Sequence, residues 1–168
     1  FNFLATFAFF WFFIYPNLHV FYPKEFQMNH QSAMFNENGY YHFTNVFDNF
    51  ELSEILLALD MVKKSHKRIY SQNTHVWITP QLDKYNHMTN SIQDFTYIKS
   101  LPYLRRAGLR LLLSNKVNNC LQRLNPNIYI MYQNMMFDKS AETVDHIDSW
   151  YLDTNPAGHL FGVWIALE

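Results

Sequence analysis

The sequence predicts an α+β fold. Three features carry that prediction: a stretch of strict helical period in the first half, two stretches of β-rich composition in the second, and an order in which helices give way to strands toward the C-terminus. With 168 residues, 49% hydrophobic and 16% charged, the chain has the size of one domain and enough apolar content for a core.

The first element is the least ordinary. Phe1 to Tyr15 reads FNFLATFAFFWFFIY, and no Asp, Glu, Lys or Arg precedes Lys24. A helix that spans a bilayer takes about 20 apolar residues; Pro16, Asn17 and His19 shorten the clean run below that. Residues 1–23 therefore read as a membrane anchor with membrane association, as the apolar part of a signal peptide, or as a buried extension. Localisation stays open between cytoplasmic and membrane-associated. The chain starts at Phe1 and stops at Glu168 inside the apolar run Leu160–Leu167, so both ends read as cuts.

Asn36-Glu37-Asn38-Gly39 is a turn signal, and Tyr40 to Phe47, aromatic and β-branched, predicts a short strand. Asp48, three residues before Glu51, predicts a capping box. Leu52, Ile55, Leu56, Leu59 and Val62 follow at helical spacing, giving a helix over about Phe50–Lys67. His75–Pro80 is a candidate strand and Ser91–Lys99 a weak helix. Leu101–Leu124 holds one or two helices, with Pro102 in a first turn, Gly108 as a candidate break and Pro126 as a stop. The period then changes. Ile128–Phe137 reads as β, Asp138–Glu142 as a loop, Thr143–Asp148 as extended, Asp153–Gly158 as a turn and His159–Leu167 as a strand. In that last strand Leu160, Gly162, Trp164 and Ala166 share one face, and two small residues flank the Trp ring.

The net charge of -1 gives no electrostatic case for a nucleic-acid partner. A single cysteine, Cys120, cannot form an internal disulfide and reads as a structural thiol.

The residues that suggest chemistry are His146 and Asp148, in Asp145-His146-Ile147-Asp148-Ser149-Trp150-Tyr151. Side chains two apart on an extended chain point to one face. An imidazole and a carboxylate can thus reach one cation from a common side, while Ile147 points away. These are two of the three groups of the facial triad that holds non-haem iron(II) and leaves open positions for other ligands. His-x-Asp alone is a weak signal, since such pairs arise by chance. The remaining histidines have no partner at ligand spacing and read as structural or surface residues.

The context adds to it. Met135-Met136-Phe137-Asp138-Lys139, then His146-x-Asp148, Ser149-Trp150-Tyr151-Leu152-Asp153-Thr154, Pro156, Gly158 and Gly162-Val163-Trp164-Ile165-Ala166-Leu167-Glu168 resembles the phytanoyl-CoA dioxygenase family. Glu37-Asn38-Gly39-Tyr40-Tyr41-x-Phe43-x-Asn45-Val46-Phe47 is similar to the family's opening. The resemblance covers roughly 36–168, with its specific motifs from Met135 onward. It implies a jelly-roll (double-stranded β-helix, cupin-like) core, incomplete in this chain, with N-terminal helices outside it. It implies an iron(II)- and 2-oxoglutarate-dependent dioxygenase that hydroxylates a small organic or acyl substrate with dioxygen. His146 and Asp148 match the first two iron ligands, Trp164 a residue lining the co-substrate pocket and Met135 a position near oxoglutarate. Trp150 and Tyr151 fall where they can wall the substrate cavity. The family's usual Gln between the ligands is Ile147 here. Its distal His and carboxylate-binding Arg are expected past Glu168, so the chain by itself is expected to be inactive. A catalytically silent binding protein on the same fold is the alternative.

Overall fold

The computed structural model describes residues 7–14, 29–71, 75–139, 152 and 160–167. Its elements are β1 (Phe7–Ile14), α1 (His30–Asn38), α2 (Asn49–Lys64), β2 (Ile69–Ser71), β3 (Val76–Ile78), β4 (Ile92–Gln93), α3 (Pro102–Leu112), α4 (Asn115–Leu124), β5 (Tyr129–Phe137) and β6 (Leu160–Ala166). The α+β prediction matches this order. Two facing four-stranded sheets of a jelly roll are not present among the described residues; there is one four-stranded sheet, β4-β5-β1-β6, and the hairpin β2–β3.

The part of the N-terminal apolar run that the structure describes is a strand. β1 pairs antiparallel with β5 on one edge, Phe7 opposite Phe137, and antiparallel with β6 on the other, Phe7 opposite Ala166. β5 and β6 therefore run parallel to each other with β1 between them. Among the described residues no helix is long and apolar enough to cross a membrane.

The helices form where caps and periodicity say they should. The Asp48 carboxylate accepts from the Glu51 N–H at 2.8 Å, and the Glu51 carboxylate accepts from the Asp48 N–H at 2.9 Å, closing the predicted capping box on α2. The Lys116 ammonium on Glu51, and then the Asp48 N–H, hold the Glu51 carboxyl below its ordinary range. Ile55, Ala58, Leu59 and Val62 are the buried stripe of α2. Pro102 opens α3 as predicted. Gly108 does not break that helix. A Cβ placed there would lie 2.2 Å from Cε2 of Phe95, which is fully buried, so the glycine exists for close approach. The division between α3 and α4 falls instead at Ser114, whose side chain accepts from the Val117 N–H and caps α4.

Three other expectations are corrected. Asn36–Gly39 is the end of α1 rather than a free turn, and Gly39 is its left-handed cap at φ 78. Tyr40–Phe47 is not a strand. Among the described residues no strand pairs with it, and β-type composition without a ladder partner does not make one. Ser91–Lys99 is not helical: Ile92 and Gln93 pair with Met136 and Met135 of β5, and that ladder overrides a weak helical preference.

The core lies between one face of the sheet and the helices. Met136, Ile92, Ile165 and Leu167 of the sheet side meet Ile55, Leu59, Leu104, Leu111, Leu112, Val117 and Leu121. Replacing Gly108 by Ala is expected to lower stability by about 1–3 kcal/mol through overpacking against Phe95, read from urea unfolding. Phe10→Pro in β1 removes a ladder donor between Asn134 and Val163. It is expected to cost about 1–3 kcal/mol and to raise amide exchange in β5 and β6 together.

Candidate functional site

The bulge in the sheet decides which side chains of β5 face where. Opposite β1, Gln133 pairs with Trp11 and Met131 with Phe12, so Tyr132 is the extra residue. Before the bulge Tyr129 and Met131 pack on the core while Ile130 and Tyr132 are exposed; after it Asn134, Met136 and Asp138 are buried. The core face thus switches from odd to even residues. Met135 and Phe137 are thereby turned to the face of the sheet away from the helices.

β6 presents Trp164 on that same face. Along β6 Gly162, Trp164 and Ala166 are exposed and Ile165 is buried, the alternation the sequence predicts. Trp164 is 60% exposed. Met135 and Trp164 both lie opposite Phe9 of β1, in one row across the sheet. Two strand spacings, about 10 Å, separate them. The rings of Phe137 and Trp164 stack at 6.3 Å with an interplanar angle of 16°. The structure therefore brings the two sequence-predicted co-substrate residues to one face. His146, Asp148, Trp150 and Tyr151 lie outside the described residues, in the crossover that joins β5 to β6.

Both polar residues at the start of that crossover are anchored. Asp138, 4% exposed, accepts from Lys63 of α2 at 3.1 Å and from the Met88 N–H at 2.6 Å. Lys139 pairs with Asp83 at 3.0 Å. Asp83 also accepts from the N–H groups of His87 and Tyr85. The His87 N–H, then Lys139 and the Tyr85 N–H, hold the Asp83 carboxyl down to about 2, against a smaller opposing effect of desolvation. His87 itself has Nδ1 buried with no partner among the described residues. The other described histidines, His30, His42, His66 and His75, are exposed. Among the described residues no three His, Cys, Asp or Glu side chains converge as metal ligands. Cys120 is half-buried, and desolvation pushes its thiol up, as suits an inert packing role.

Two residues on this face escaped the sequence reading. Gln93 of β4 lies opposite Met135, and Asp94 follows at φ 47. The two-residue strand is too short to show a period of two, so no local signal marked it. Asp94 is tied to β5: its N–H donates to the Asn134 carbonyl at 2.6 Å, and its carboxylate accepts from the Asn134 N–H at 3.3 Å. The fully buried Asn134 side chain in turn accepts from the Thr96 N–H and donates to the Thr96 hydroxyl at 2.8 Å.

A family model described as phytanoyl-CoA dioxygenase matches residues 35–168. No curated protein and no solved structure matches the chain significantly.

Lys63→Met removes the Lys63 ammonium from the buried Asp138 carboxylate and is expected to cost about 3–5 kcal/mol; Lys63→Met with Asp138→Asn is expected to recover part of that, read from paired urea melts. The Asp83 carboxyl is lowered, so its contribution is present above the unfolded value of about 3.9 and is lost as pH falls through about 2. Carboxyl-carbon NMR should place its midpoint near 2, and Lys139→Met should move that midpoint upward.

Proposed function

The chain belongs to the phytanoyl-CoA dioxygenase family, part of the iron(II)- and 2-oxoglutarate-dependent dioxygenases, and on that premise we propose that residues 36–168 form the N-terminal part of a hydroxylase. Its substrate is a small organic or acyl molecule. Members of the family typically use iron(II), 2-oxoglutarate and dioxygen. The observation that carries the reading is positional. His146 and Asp148 sit in the crossover between two strands whose shared open face holds Met135 and Trp164.

An imidazole nitrogen and a carboxylate oxygen two residues apart suit iron(II) as a donor set. The ion, when bound, supplies the activation of dioxygen. The protein's residues do the rest. His146 and Asp148 would hold the ion through an imidazole nitrogen and a carboxylate oxygen. Met135 and Trp164 wall the co-substrate, with a thioether and an indole as apolar surfaces. Trp150 and Tyr151, directly after the ligand pair, wall the substrate side. Asp138 and Lys139, held by Lys63 of α2 and by Asp83, fix the end of the described strand from which the chain runs on toward the ligand pair.

In the complete product of the gene, His146→Ala and Asp148→Ala are each expected to abolish iron(II) binding and succinate formation. Unchanged oxoglutarate turnover in either variant removes this reading of His146 and Asp148, and no turnover in the unmutated protein leaves a binding protein on the same fold. Trp164→Ala is expected to raise the oxoglutarate KM about tenfold with little change in Tm, since the ring is more than half exposed.

A further inference from the structure

The open face of the sheet continues past Met135 into a cleft of about 440 Å³ beneath the β2–β3 hairpin. That volume suits a small molecule. Tyr70 and Trp77 of the hairpin form one wall, their rings at 5.7 Å and 63°. Tyr97 forms another part of the wall, and Gln93 and Asp94 contribute its polar side chains at the β4 end. Two observations set the chemistry of what fits. Gln93 is 5% exposed, and its Oε1 has no hydrogen-bond partner among the described residues. A buried acceptor without a donor is costly, and the broad terminal torsion of a glutamine lets its amide turn to meet a donor. Asp94 adds a carboxylate that, among the described residues, accepts from the Asn134 N–H and pairs with no cation, and burial raises its pKa. Lys99 also lines the cleft but is exposed, so water screens its charge more than it screens Asp94.

We propose that this cleft binds a protonated amine, whose N–H groups donate to Gln93 and Asp94 and whose cationic head lies against Tyr70, Trp77 and Tyr97. Aromatic faces attract a cation through their quadrupole, and the effect grows when water is excluded. Donors satisfy Gln93, and the positive charge gives the Asp94 carboxylate its counter-ion. The walls are held in advance: Lys67 donates to the Ser100 carbonyl at 2.6 Å, and Arg105 to the Thr96 carbonyl at 2.8 Å. Gln93 lies opposite Met135, so a ligand seated here extends along the sheet toward the Met135–Trp164 row. That the amine is the substrate rests on the dioxygenase reading; that it binds does not.

The test uses the chain without iron or oxoglutarate, with benzylamine as the probe and benzyl alcohol and benzoate as controls. Binding is followed by NMR at the Trp77 indole N–H and the Gln93 side-chain amide. Benzylamine is expected to shift both signals saturably, with the alcohol and the acid about tenfold or more weaker. Asp94→Asn keeps the shape and an acceptor but loses the charge, and is expected to weaken benzylamine by about tenfold. Trp77→Leu, at a half-exposed ring, is expected to weaken it without altering Tm. No shift with benzylamine, tighter binding of benzoate, or unchanged affinity in Asp94→Asn overturns the proposal. Each of these results leaves the roles of His146 and Asp148 untouched, and loss of turnover in their variants leaves amine binding untouched.

Discussion

The pairing of β1 with two partners at once is the constraint on which the sheet depends. β5 and β6 run parallel and are joined by a crossover, yet they share no ladder; on their facing edges each bonds to β1. Backbone N–H and C=O groups inside a sheet must find partners. β1, antiparallel to both, satisfies the facing edges of β5 and β6. The consequence reaches the candidate site, because the rows that relate Met135 to Trp164 pass through Phe9. Without β1 there is no common face.

The second determinant is one residue long. The bulge at Tyr132 exchanges the buried and open sides of β5 halfway along. It places Met136 in the core and Met135 beside the open face, although the two are adjacent and identical in type. The Asn134 side chain stabilises the strand just beyond the bulge, through Thr96, while Asp94 bonds its backbone. A cluster of charge-assisted bonds around Asp138 then fixes the strand's end. Polar bonds of this kind add little net stability when complete but cost much when one partner is lost. Their effect here is positional: they set where the crossover departs.

Local signals made much of the helical half legible. The Asp48–Glu51 box, the apolar spacing from Leu52 to Val62, and Pro102 each act within one turn of chain, and each operates in the fold as read. Where the reading departed from the structure, the deciding partner was distant. Gly108 looked like a helix break because glycine lowers helix propensity, but its role is contact with Phe95. Tyr40–Phe47 has strand-like composition and, among the described residues, no strand to pair with. Ile92 and Gln93 look weakly helical and are held extended by β5. Phe7–Ile14 is apolar throughout, a pattern that periodicity cannot divide between helix and strand.

The sequence by itself determined the α+β class, the family, the pair His146 and Asp148 as candidate ligands, and the alternation along β6 that exposes Trp164. Those follow from spacing and residue type, which are local properties of the chain. Only the tertiary structure decided that the apolar N-terminal run supplies a central strand, that Met135 faces away from the core, and that Gln93 and Asp94 line a cleft on the same side. Each of these depends on which strands pair and in what register. Register is set by contacts between residues far apart in sequence, and a single extra residue reverses every side chain beyond it.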